Sequence, residues 1–234
     1  DRSSRLQLVI AGVAANLTEL IEHIPSIRRN ILGYHVPNMS NSEIEELILN
    51  GEKICGLTFD REAIAFISAV AYGSPYIASL LSQHAGLAAV DRDAGMVEKS
   101  DVSEAINHSV DEIRHRVSSL SLFQTARAKA DGHGNNLGLL ARLALHYAGR
   151  ISPQQADEVI RKPGEGMAFM KMIEREYGLL EPLPNDPAGA YHFREEGVPV
   201  YLWIELAQSH FAGEKSNTKL LDALLDKYAV AQGA

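Results

Sequence analysis

From Ala63 to Val90 the chain carries no Asp, Glu, Lys or Arg, an uncharged run of 28 residues that limits its possible folds more than any other feature. The run is long enough to cross a bilayer as one helix. Gly73-Ser74-Pro75 breaks it midway, however, and Ser68, Ser79, Ser82, Gln83 and His84 recur along it. These residues predict two buried amphipathic helices joined by a tight turn, and no membrane partner. A chain of 234 residues, 46% hydrophobic and 22% charged, has the core to cover them, and is not disordered, collagen-like or disulfide-stapled. The lone Cys55 forms no internal disulfide, which points to a reducing, cytoplasmic compartment. A net charge of −8 argues against a whole-surface binder of nucleic acid or anionic membrane and leaves room for a local basic patch.

Helices flank the uncharged run on both sides. Asn41 or Ser42 can cap one with Glu43, Glu45 and Glu46 in its first turn, and Ile44, Leu47, Ile48 and Cys55 approximate its apolar stripe up to Gly56. Asp60 caps a second through Ala71, Pro75 opens a third to about Val90, and Ser100 or Asp101 starts a fourth to about Val117. Residues 37–117 thus read as a small four-helix domain. Ahead of it, Leu6-Gln7-Leu8-Val9-Ile10-Ala11-Gly12-Val13 has the pattern of a buried parallel strand, followed by a short helix Leu17 to Ile24 and an extended piece Ile31 to Val36. A lone strand cannot satisfy its backbone groups, so its sheet is expected outside this chain. Residues 1–36 are read as the C-terminal edge of a larger α/β core, and the chain as part of a longer protein.

After Val117 the sequence turns polar. Residues 118–135 are expected to connect two domains, with a Gly/Asn-rich loop over residues 131–136. In 136–213 we expect a helix from Leu137 to Gly149, a second capped by Ser152-Pro153 through Arg161, and a third from Gly166 to Tyr177. A hairpin of Leu179 to Leu183 with Ala190 to Arg194 comes next, then a helix Val198 to Phe211 carrying Trp203. Residues 214–234 hold a last helix, Asn217 to Ala229. Three helices and a two-stranded wing make a winged helix, whose third helix often enters the DNA major groove. Here Gly134 to Gly213 carries seven bases and ten acids, so protein contact is favoured and DNA binding is the alternative.

Catalytic motifs are missing: there is no phosphate loop, no H-E-x-x-H, no C-x-x-C and no G-x-S-x-G. His108, Glu112 and His115 share a helix face at metal-ligand spacing, but the same spacing is common on solvated faces, and no metal is expected.

The order of these pieces resembles a known family. A sensor-1-like strand, the segment His23-Ile24-Pro25-Ser26-Ile27-Arg28-Arg29-Asn30, a four-helix lid and a winged helix are similar to the C-terminal half of AAA+ and STAND ATPases, in particular bacterial ATP-binding proteins related to Orc1/Cdc6. The resemblance spans about residues 6–212 and implies a mainly α fold: a remnant of an α/β P-loop core, an AAA+ lid, then a winged helix with a small hairpin. It places Arg29, with Arg28 beside it, where such ATPases carry an arginine finger acting on a neighbouring subunit's ATP. A pair of surface arginines capping a helix accounts equally for the two. Gly73-Ser74-Pro75 resembles the G-x-P turn that approaches adenine, with a plain helix corner as the alternative. Two positions depart from the family. Val13 and Ala14 stand where a polar sensor-1 residue is usual, with Asn16 a displaced candidate, and Tyr76 replaces the sensor-2 arginine. Both departures imply slow hydrolysis and a nucleotide-controlled switch. Gly73, Pro75, Tyr76 and Asn16 would contact nucleotide only together with a P-loop core, the expected first partner. ATP and Mg2+ are the cofactors expected of the longer protein and none of this chain, since Walker A and B are lacking and residues 1–234 should not hydrolyse ATP. Self-association or a protein partner completes the expectation, with a helical adaptor as a further alternative.

Overall fold

The computed structural model describes residues 34, 36–184 and 186–212. The chain divides into two units, 1–36 and 37–234, and the described elements all belong to the second. The strand expected at Leu6 to Val13, the helices at Leu17 to Ile24 and Asn217 to Ala229, and all of the Ile31 to Val36 piece but Tyr34 and Val36 lie outside the described residues.

Helix α1 (Asn41–Cys55) begins one residue earlier than its cap candidates allow, because Ser40 and Glu43 form a reciprocal capping box. The Ser40 hydroxyl accepts from the Glu43 amide, and the Glu43 carboxylate accepts from the Ser40 amide at 2.7 Å. That hydrogen bonding holds the Glu43 carboxyl below its usual range. Gly56, left-handed at φ 75°, ends the helix, and Ile44 and Ile48 form its buried face while Cys55 is exposed. Two-residue strands β1 (Thr58–Phe59) and β2 (Met96–Val97) then pair in parallel, Thr58 opposite Met96 and Phe59 opposite Val97.

The uncharged run fills the crossover between them as α2 (Arg61–Ala71), capped by Asp60, and α3 (Pro75–Asp91), capped by Ser74 with Pro75 in its first turn. Among the described residues no helix is long and apolar enough to cross a membrane. Helix α4 (Lys99–Arg114) packs along α3. Its start differs from expectation: Glu98 is the cap, and Asp101 lies inside the first turn, buried, accepting from the Glu98 amide and from two nitrogens of the Arg92 guanidinium. Ion pairing to Arg92 at the end of α3, invisible to a local pattern, decides that position.

The stretch expected to connect two domains is largely helical, as α5 (Ser119–Ala130). Only Thr125 and Ala128 of it are buried, so its sequence lacks the apolar stripe that marks the other helices. Helix α6 (Gly134–His146) starts within the predicted loop, which shrinks to Asp131, Gly132 and His133. Helices α7 (Pro153–Ile160) and α8 (Gly166–Met172) come next, α8 running on through a wider π turn, Ile173–Tyr177. Strands β3 (Leu180–Pro182) and β4 (Tyr191–Phe193) form the antiparallel hairpin, and Ile151 bridges to Tyr191 on the outer side of β4.

The final described helix, α9 (Gly197–Ala212), lies against α4 and α6, and buries Val198, Tyr201, Leu202, Trp203, Ile204 and Ala207. Gly138 permits the close approach of α6, since a Cβ there would stand 2.7 Å from a Leu206 methyl. One continuous core therefore runs from Ile44 to Ala207.

Candidate functional site

The turn between α2 and α3 places two successive residues in the left-handed region, as the Ala148–Gly149 corner also does, and is the one of the two that carries expected site residues. Tyr72 ends α2 in the left-handed region at φ 48°, and Gly73 follows at φ 80°. For a bulky residue such a φ costs about 1–2 kcal/mol, and surrounding contacts have to hold it. Gly73 is required on a second ground: a Cβ would meet the Met39 carbonyl oxygen at 2.7 Å and the Asn38 Cβ at 2.9 Å. The Met39 amide donates to the Gly73 carbonyl at 2.9 Å, so residues 38–39 are laid directly on the turn.

Contacts from the second half of the unit fix the same turn. The Asn38 side-chain amide donates to the carbonyls of Leu145 and His146, at 3.1 and 3.3 Å, where α6 ends. Arg142, buried on α6, sets its guanidinium 4.4 Å from the Tyr72 ring centre and 5.6 Å from that of Trp203, and donates to the Tyr72 hydroxyl at 3.2 Å. Trp203, 1% exposed, donates from its indole to the Val70 carbonyl at 2.7 Å, just before α2 stops. His146 packs on Tyr72 with ring centres 5.2 Å apart, and burial, then the Arg142 charge, hold its imidazole below its usual pKa.

On the open side the turn presents Pro75 and Tyr76, both exposed. Arg116, beyond the end of α4, lies 5.4 Å over the Tyr76 ring while its guanidinium bonds Glu112 at 2.8 Å. A flat ring backed by a cation can stack on a planar ligand, and the guanidinium can pair with phosphate. Of the expected nucleotide-contacting residues, Gly73, Pro75 and Tyr76 are thus brought together. Asn16, Arg28 and Arg29 lie outside the described residues.

The helix-face trio is rearranged. Glu112 is hydrogen-bonded to His84 of α3 at 3.1 Å, the His84 and His108 rings stack at 5.9 Å, and His115 falls at the end of α4. No group able to hold a metal occurs among the described residues. Asn38, Tyr72, Arg142, His146 and Trp203 escaped the sequence as site residues. Only Arg142 left a trace there, as a lone cation beside Leu140 and Ala141 on the buried stripe of α6.

Fold and site together define a mainly helical protein whose exposed turn is gripped from behind by its own second half. No protein-family model and no curated protein matches the chain. Among solved structures an arginine-to-alanine variant of Thermotoga maritima RuvB is similar, at a TM-score of 0.35 and 13% identity. The alignment covers 77% of this chain and 51% of that one, so the chain spans about half the length of that structure.

Proposed function

We propose that residues 37–212 are the lid and winged helix of a cytoplasmic AAA+/STAND-like ATP-binding switch, coupling the nucleotide state of a P-loop core to partner binding or assembly. The observation that carries this is the double role of the Gly73 turn, which exposes Pro75 and Tyr76 on one side and is held by Asn38, Arg142 and Trp203 on the other. Anything that displaces the exposed side is felt at α6 and α9. The parallel β1–β2 pair embracing α2 and α3 supports the lid, and the Ile151 bridge, a one-residue pairing on the outer side of the hairpin, supports the winged helix.

In this scheme Gly73, Pro75 and Tyr76 meet the nucleotide, Asn16 lies near it, and Arg29 or Arg28 acts on the ATP of a neighbouring copy. The P-loop core supplies ATP and Mg2+ binding, and residues 1–234 alone turn over no ATP. An azido-ATP photolabel on a longer form that includes a P-loop core should mark the peptide bearing Gly73 to Tyr76. Labelling confined to other peptides would sink the proposal, and so would phosphate release by residues 1–234 that Arg29→Ala abolishes.

DNA binding is the competing outcome. Helix α8 exposes Lys171 and, in its π turn, Arg175 beside Glu176, while no basic residue occurs between Pro182 and Ala190 of the wing. Affinity for duplex DNA that falls steeply with salt would favour it over the switch.

A further inference from the structure

We propose that Arg142 is a positioning residue for the Gly73 turn: its guanidinium, set against the neighbouring Tyr72 and Trp203 rings, holds Tyr72 in its left-handed conformation and so fixes where Gly73, Pro75 and Tyr76 stand. The inference rests on the proposed function only for its consequence at a nucleotide; the mechanical part stands on the contacts themselves.

Three observations converge on it. Tyr72 is a bulky residue at φ 48°, a conformation a glycine would adopt without cost, so the ring is kept there by what it touches. What it touches comes from the other half of the unit: Arg142 at 4.4 Å, His146 at 5.2 Å and Trp203 at 6.2 Å between ring or guanidinium centres. The same cluster grips the backbone on both sides of Tyr72, through the Trp203 indole on the Val70 carbonyl and through Asn38, which ties the segment lying on Gly73 to the end of α6. A guanidinium suits this place because its charge is spread over a plane that comes near both rings and still donates to the Tyr72 hydroxyl. An ammonium keeps the charge but loses the planar, forked set of donors.

The consequence is directional. The second half of the unit sets the shape of the turn, and a partner that shifts α6 against α9 would alter the turn without touching it. Trp203 is the single tryptophan of the chain, so its emission reports this one junction.

Hydrogen exchange on the whole 234-residue chain, read peptide by peptide, tests the inference with no nucleotide present. Arg142→Lys should speed exchange across residues 70–78 roughly tenfold or more while leaving the α4 peptide 102–113 as protected as before. Tyr72→Phe, which removes one hydroxyl, should do the same to a smaller degree, and both should shift Trp203 emission. Unchanged exchange at 70–78 in both variants would overturn the proposal. So would equal loss of protection throughout the chain in both, which is the signature of a merely structural arginine. If Arg142→Lys fails to fold, Tyr72→Phe decides: loosening confined to 70–78 supports the role, and no change or uniform loosening rejects it. Failure of the azido-ATP experiment leaves these outcomes untouched, so the two proposals fall separately.

Discussion

Between α3 and α4 the polar contacts that reach across are ion pairs, each with one partner open to solvent, whereas those between the Gly73 turn and α6 and α9 centre on rings around the buried Arg142. In the first junction Arg92 holds Asp101 with two bonds of 2.8 Å, and His84 meets Glu112 at 3.1 Å, its partner also serving Arg116. In the second, Arg142 lies against two neighbouring rings and Trp203 gives its only donor to a main-chain carbonyl. The contrast separates two uses of charge. The half-open His84–Glu112 pair registers neighbouring helices at little net gain, because water and salt screen it, while the buried Asp101 depends on Arg92 to satisfy its carboxylate. A buried guanidinium against rings is shielded, and its contacts persist in salt.

Breaking the second junction outright gives the largest effect. Trp203→Ala should lower unfolding free energy by about 3–5 kcal/mol, read from urea titration, since it removes a fully buried ring and strands the Val70 carbonyl. Next comes Gly73→Ala, which forces a Cβ against the Met39 oxygen in a left-handed residue; a loss of about 1–3 kcal/mol is expected in the same titration.

Acid should separate the junctions by range. The His146 imidazole is held below its ordinary 6.5 by burial and then by Arg142, so the folded state favours its neutral form. The stability it contributes is complete above about pH 6.5 and is lost as pH falls through the lower folded value. Asp101 is held below its ordinary 3.8, first by the Arg92 hydrogen bonds, against the opposing effect of burial. Its contribution survives until pH falls below about 3.8 and through the folded value. Melting temperature against pH should therefore show an early loss that His146→Gln removes and a late loss that Asp101→Asn removes. An early loss that persists in His146→Gln would assign it to another histidine. The smallest effect is Glu112→Gln, at most about 1 kcal/mol and shrinking with added salt.

How much of this was legible depends on the distance over which each choice is made. The Gly56 stop, the Asp60 cap, the Ser152-Pro153 start and the hairpin after Leu179 are settled by residues a few positions apart, and each appears where the sequence put it. Helix α5 was hidden because it buries almost nothing, so no stripe announced it. The start of α4 falls at Lys99, ahead of the expected Ser100 or Asp101, and the Arg92 that holds Asp101 belongs to the end of the preceding helix. The Gly73 turn was visible as punctuation, but its support was not. Arg142 and Tyr72 are 70 residues apart and Trp203 and Val70 133, and no periodicity within one helix encodes a meeting of that kind.

That last separation bears on how the chain is made. The uncharged run emerges from the ribosome well before the helix that ties down its midpoint, and the Trp203 indole is synthesised 133 residues after the carbonyl it binds. At about 5–20 residues per second the delay is on the order of 10 s. Through that interval the stretch from Ala63 to Val90 has no charged side chain of its own to keep nascent chains apart. Its safety during synthesis rests on early pairing with α4, which begins within a few residues of the end of α3.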